Sequence, residues 1–314
     1  MKWLALAIAA GSAVWLSAGA EAQTIGIGTT SGGANAQVGA AIAGTVSSHT
    51  DLEMRPQKMG GTQRYVSMVN AGQLDFGVSN AMQYYMAATG TGLSKGQPHD
   101  KLRLAATLMK FVQGVIVAKN SGINTIADLR GKRIPSGYSS SPLFQTFWDA
   151  FLATANLTYK DVQPVPVASL PKSWDAFKQG QVDAVIAAAG SAAVREMDAV
   201  VAGGIKYIPI SATPELLKQL PETQIVDVAP SKDMIGIEKT TPLHVYEYVL
   251  FTSANTPEDT VYKVVKAIYE NAKELKATSP LWHSYVPRDI NTNFGLEYHP
   301  GAKRFFKEQK LSSE

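Results

Sequence analysis

Cysteine is absent from the 314 residues. Disulfides, thiol chemistry and metal sites built on thiolates are therefore excluded. Charge of one sign is scarce as well. The formal net charge is only +3, and no Lys/Arg cluster with interleaved aromatics occurs, so nucleic acid is not an expected partner. Beyond residue 17 no apolar run approaches the ~20 residues of a membrane-spanning helix. The five histidines (His49, His99, His244, His283 and His299) share no spacing that would hold a metal or a catalytic dyad. No G-K-[ST] follows a Gly-rich loop, so a nucleotide phosphate loop is missing too. No cofactor and no metal are expected.

What remains is an ordinary globular composition, 45% hydrophobic and 18% charged, on a chain long enough for two domains. It opens with Met1-Lys2, an apolar stretch Trp3–Ser17 and an A-x-A pattern at Ala20-Glu21-Ala22. This is the pattern of a secretory signal peptide over residues 1–22, cleaved before Gln23. The expected location is the periplasm.

The stretch Ile25–Gly44, IGIGTTSGGANAQVGAAIAG, organises the remainder. It predicts a buried strand over Thr24–Gly28, a small polar loop with Thr29, Thr30 and Ser31, and a helix capped by Asn35. Such a loop and helix start are suited to an anion. The segment Arg133–Pro135, then SGYSSSP, then a helix with Ser141 as cap and Pro142 in its first turn, repeats the arrangement and predicts an opposite wall.

A second recurrence supports two similar halves. Gly72-Gln73-Leu74-Asp75 and Gly180-Gln181-Val182-Asp183 each follow a helical pattern and lead into a short apolar strand (Leu74–Val78 and Val182–Ala187), a polar turn and another helix. Their aspartates sit before the strands, away from any cleft at the strands' C-terminal ends, so they read as hydrogen-bonding residues at strand starts and not as an acid–base pair. Leu102–Met109 and Gly114–Lys119 read as two strands flanking Lys110–Gln113, which places Lys110 just after a strand as an anion contact or as a solvated turn lysine. Thr125 and Asp128 form a capping box. A long helix is expected over Pro257–Lys276, capped by Thr256 with Asp259. Trp148 and Trp174 read as core.

Two catalytic motifs nearly match and fail. Gly26-Ile27-Gly28-Thr29-Thr30-Ser31 has Ser where a dinucleotide fingerprint needs its third Gly. Gly77-Val78-Ser79-Asn80-Ala81 lacks the final Gly of a nucleophile elbow.

Taken in order, the signal peptide, the GTTSGGANAQVGAAIAG loop and helix, Thr125–Gly131, the SGYSSSP loop, Gly-Gln-Val-Asp-Ala with Ala188-Ala189-Gly190-Ser191, and the helix with Thr260-Val261-Tyr262-Lys263 form a set. This set resembles the TAXI family of solute receptors of TRAP transporters. The resemblance implies an α/β type II periplasmic binding protein, not an enzyme, with two α/β domains, a central ligand cleft and crossover hinge strands. The domains would be 23–113 plus 213–314, and 114–212. It further implies a monomer that captures a small carboxylate and delivers it to TRAP-type membrane permease subunits. By position, Thr29, Thr30, Ser31, Asn35, Tyr138, Ser139, Ser140 and Ser141 would contact the ligand, completed by Asn80, Gln83, Gly190 and Ser191. Lys110 stands in a turn where the family carries an acid, which points to a more anionic ligand or to one without an amino group. A receptor of another tripartite carboxylate system, a sensory binding protein and an exported α/β hydrolase using Ser79 are the alternatives.

Overall fold

The computed structural model describes residues 22–292 and 295–311; the expected signal peptide lies outside the described residues. The chain begins with three βα units: β1 (Gln23–Thr30), α1 (Gly33–His49), β2 (Leu52–Met59), α2 (Thr62–Asn70), β3 (Phe76–Asn80) and α3 (Ala81–Thr89). The long strand β4 (Leu102–Ala118) follows. Three more βα units come next: β5 (Arg133–Gly137), α4 (Leu143–Ala153), β6 (Gln163–Val167), α5 (Leu170–Lys178), β7 (Ala184–Ala188) and α6 (Ala192–Val200). The return runs through β8 (Ile205–Ile208), α7 (Pro214–Gln219), β9 (Thr223–Val228) and the second long strand, β10 (Thr241–Ser253). Helices α8 (Glu258–Glu270), α9 (Ala272–Thr278) and α10 (Pro300–Glu308) close the chain.

The two triplets of βα units are arranged alike. In the first, β1 pairs in parallel with β2 and β3, and β3 pairs antiparallel with the C-terminal part of β10. In the second, β5 pairs in parallel with β6, the Asp183 N–H reaches the Arg133 carbonyl at 2.8 Å, and β7 pairs antiparallel with the C-terminal part of β4. The strands β4 and β10 pair antiparallel with each other from Leu102↔Ser253 to Gln113↔His244, and β8 takes the place of β10 along β4 from Val115. Both halves are thus built on the same two strands.

The two aspartates do the same job in each half. A carboxylate oxygen of Asp75 accepts the Gly26 N–H at 2.7 Å, and one of Asp183 accepts the Arg133 N–H at 2.7 Å. Each ties the strand after its helix to the first strand of its half. Burial pushes the Asp183 carboxyl up, but hydrogen bonds from the Arg133 side chain and N–H outweigh it and hold it below the usual range. A second matched pair lies above them. The Tyr65 hydroxyl donates to the Val78 carbonyl at 2.6 Å, and Trp174 Nε1 donates to the Ile186 carbonyl at 2.9 Å.

Several boundaries differ from the sequence reading, each for a local reason. Lys110 and Gln113 do not interrupt β4; the strand continues because β10 pairs with it across both, and β7 joins its other edge from Gln113. The helix after β1 begins at Gly33, so Asn35 lies inside the first turn, and Gly32 is the N-cap. Pro142, not Ser141, is the cap of α4. The helix expected over Pro257–Lys276 breaks at Asn271, where the backbone leaves the helical region, and Asp259 pairs with Lys263 and Arg304 instead of closing a box. The Thr125–Asp128 capping box is present, on a short 3-10 turn. Among the described residues no helix is long and apolar enough to cross a membrane.

Asp75→Ala leaves the partly buried Gly26 N–H without its charged partner. We expect a loss of about 1.5–3 kcal/mol in urea unfolding, with an unchanged slope. The same substitution at Asp183 should cost at least as much, because the Arg133 guanidinium loses its carboxylate as well.

Candidate functional site

A cavity of about 380 Å³ lies where the two halves face each other. It sits outside the C-terminal ends of the parallel strands, the usual place for a ligand in such sheets. All six helices of the βα triplets begin there. The first turns contribute Gly33–Asn35 from α1, Thr62 and Gln63 from α2, Asn80 and Gln83 from α3, Ser141 to Phe144 from α4, Ser169 to Lys172 from α5, and Ser191 from α6. None of the six has an acidic residue in its first turn. In contrast α7, α8 and α9, which do not reach the cavity, carry Glu215, Glu258 with Asp259, and Glu274 there; α10, also outside the cavity, carries none. An acid at a helix N-terminus stabilises an isolated helix. Omitting it from all six leaves their positive ends for whatever occupies the cavity.

The capping pattern sharpens this. Asn80, Ser169 and Ser191 cap their own helices with side-chain oxygens. The α1 and α2 caps are Gly32 and Gly61, which supply no acceptor, so the first-turn N–H groups of these helices remain as donors. Asn35 is held by its amide nitrogen, which donates to the Tyr65 hydroxyl at 2.9 Å and to Thr62 Oγ1 at 3.2 Å. Thr30 and Ser31 donate to the carbonyls of Gly32 (2.8 Å) and Met59 (3.2 Å), which shapes the loop around them.

The floor comes from the two long strands. Alternation along β4 and β10 turns Phe111, Gln113, Tyr246 and Tyr248 into the cavity. Phe111 stacks on Tyr246 and Tyr248 with ring centroids 5.3 and 5.0 Å apart. Gln113 is clamped: its carbonyl accepts the Tyr246 hydroxyl at 3.0 Å and its amide nitrogen lies 3.0 Å from His244 Nδ1. His244 is fully buried against Phe147 and Phe151, and burial lowers its pKa to about 3, so it is neutral.

Of the residues singled out from the sequence, Thr30, Ser31, Asn35, Asn80, Gln83, Ser140, Ser141 and Ser191 line the cavity. Five others do not. Thr29 is buried behind the loop, with its methyl group over Gly39. Lys110 lies on the outer face of β4 opposite Glu247, because it alternates with the inward-facing Phe111. Tyr138 is buried and accepts the Trp148 Nε1–H at 3.1 Å; its backbone, at φ 44°, sets the turn that brings Ser140 and Ser141 to the cavity. Ser139 points to solvent, and Gly190 is buried at the turn before α6. Trp148 and Trp174 are both buried in the core, as expected, and the Trp174 ring also lines the cavity. Ser79 is fully buried, outside the cavity, and donates to the Asn80 carbonyl at 3.1 Å. The sequence reading missed the aromatic floor and Gln113. The apolar runs of β4 and β10 carry no periodic signal that marks them.

The walls meet closely on one side. The Gly33 backbone faces the Trp174 ring, and a β-carbon on Gly61 would overlap the carbonyl oxygen of Ser140. Gly61 itself is extended, at φ −166° and ψ 160°, a conformation any residue adopts.

This topology, with its cavity between two matched halves, defines the type II periplasmic binding protein fold. The solved structures agree. MatC from Rhodopseudomonas palustris, with bound malate, aligns with a TM-score of 0.58 at 14% identity over 92% of this chain and 96% of that one. PhnD1 from Prochlorococcus marinus, in complex with methylphosphonate, aligns at 0.56 with 12% identity over 92% and 99%. The chain belongs to the NMT1-like family, whose model matches residues 25–309. A relative from Haemophilus influenzae described as "Putative thiamine biosynthesis protein" is 29% identical over 176 residues, 54% of this chain and 52% of that protein. The chain thus spans about half the length of that curated relative.

Two outcomes follow. Gly61→Ala should fold normally, since its backbone suits alanine, but should hold the walls apart and weaken ligand binding at least tenfold by calorimetry. The second concerns His244. Below its unfolded-state pKa of about 6.5 the unfolded chain takes up a proton that the folded chain refuses until about pH 3. Stability should therefore fall by up to roughly 1.4 kcal/mol per pH unit on acidification from about 6 towards 4. His244→Phe should remove that contribution; urea midpoints of the two proteins from pH 7 to 4.5 make the comparison above most carboxylate titrations.

Proposed function

We propose that this protein is an exported solute receptor that captures a small organic anion, a carboxylate, and delivers it to a TRAP-type secondary transporter. The observation that carries the reading is the convergence of six acid-free helix N-termini on one cavity. Together they set a positive field without a buried cation, and the donors at α1 and α2 suit carboxylate oxygens. Membership of the NMT1-like family and the fold shared with proteins solved bound to malate and methylphosphonate support a binding role. The resemblance of the ordered motifs to TAXI receptors supports the TRAP partner and periplasmic location. Residues 23–113 with 213–314, and 114–212, would move as two units about β4 and β10, closing over the ligand.

The test is thermal unfolding of mature protein, refolded from denaturant to free it of any retained ligand, against organic anions, amino acids and sugars. A ligand at a hundredfold excess over its Kd should add about 2.7 kcal/mol of stability. A shift confined to anions is the expected result, and a shift with neutral sugars alone would sink the reading. Uptake in cells that depends on an ion gradient and not on ATP would support the TRAP partner; ATP-dependent uptake would oppose it.

A further inference from the structure

Resting on the anion-receptor reading, the chemistry of the cavity wall narrows the ligand. Lys172 is the single formally charged residue on that wall. Its side chain is 68% exposed, and its Nζ lies 3.3 Å from Asp175. The remaining polar groups are neutral amides and hydroxyls. Five aromatic side chains (Phe111, Phe144, Trp174, Tyr246 and Tyr248) form the floor and one side. Two donors on the wall are buried without a protein partner, the Tyr248 hydroxyl and Gln63 Nε2. Tyr248 is only 1% exposed, so its orphaned hydroxyl is a second observation, independent of the helix ends, that marks this place for a ligand with a hydrogen-bonding group.

One carboxylate is provided for by the helix N-termini. A second would have to leave water and find no cation but the exposed Lys172, already paired with Asp175, against aromatic faces that are themselves the negative side of a quadrupole. A flat apolar body, by contrast, gains area against the same rings. A cationic body is opposed by the helix ends that favour the carboxylate. Gln113 adds one more neutral donor. With its carbonyl taken by Tyr246 and one N–H directed at His244, the amide retains one N–H for the ligand.

We infer that the cavity takes an aromatic monocarboxylate and discriminates against small dicarboxylates. The aromatic floor supplies affinity for the ring, and the absence of a second cation supplies the discrimination.

Calorimetry on the refolded mature chain tests this with phenylacetate, 4-hydroxyphenylacetate, indole-3-acetate, phenylacetamide, succinate and malate. At least one aromatic acid should bind 100-fold or more tightly than succinate, malate and the neutral amide. Succinate or malate binding more tightly than all three aromatic acids overturns the inference and leaves the anion-receptor reading standing. Phenylacetamide matching phenylacetate overturns the anion requirement, and with it both readings. No binding of any probe by cooperatively folded protein also overturns both. Phe144→Arg provides a second arm, because Phe144 is only half-buried and the substitution places a cation on the wall. It should improve succinate binding at least tenfold relative to the aromatic acids. An unchanged ratio in folded variant protein overturns the proposed origin of the discrimination.

Discussion

The antiparallel pairing of β4 with β10 carries both halves of the molecule. The C-terminal part of β10 completes the first half beside β3, and the C-terminal part of β4 completes the second beside β7. Between these ends the two strands run side by side and build the cavity floor. Their side chains facing the cavity are therefore ligand-facing and interstrand at once. The Tyr246–Gln113–His244 chain is an example: it crosses from one strand to the other, closes around a buried neutral imidazole and aims an amide at the cavity. Any relative movement of the halves must be absorbed by the same strands that line the cavity.

On this frame, electrostatics comes from the backbone more than from side chains. Six helices point their N-termini inward, and their first turns are free of acids. Glycine at two of the caps leaves N–H groups unclaimed and lets the opposite wall approach, as at Gly61 and Ser140. The field is diffuse compared with a guanidinium. It suits one delocalised negative charge beside an apolar floor, and the orphaned Tyr248 hydroxyl and Gln63 amide complete a donor-rich wall.

Much of the fold was legible because its signals are local. The Gly-Gln-(Leu/Val)-Asp repeat marked two equivalent helix-to-strand turns, and both aspartates hold first-strand N–H groups as expected of them. Hydroxyl-rich loops after strands marked Thr30, Ser31, Ser140 and Ser141, and polar turns after the repeated strands marked Asn80, Gln83 and Ser191, all of which line the cavity. Other readings failed where neighbours decide. Lys110 looked like a turn because a charge interrupted an apolar run; cross-strand pairing with Glu247 keeps it in the strand, facing outward. Asn35 looked like a cap, but a helix that starts on Gly33 uses it one turn deeper, tied to Tyr65. Trp174 is core as read, and its neighbours add a second role: its nitrogen satisfies a strand carbonyl while the ring also reaches the cavity.

By itself the sequence determined most of the βα units and the absence of acids from the helix starts, since each depends on residues a few positions apart. Only the tertiary structure decided which of those helix starts share one cavity and which face of a fully buried strand becomes its floor. A strand buried on both faces carries no periodicity that distinguishes core from cleft. Phe111 and Gln113 meet Tyr246 and Tyr248 only through the register of two strands more than a hundred residues apart.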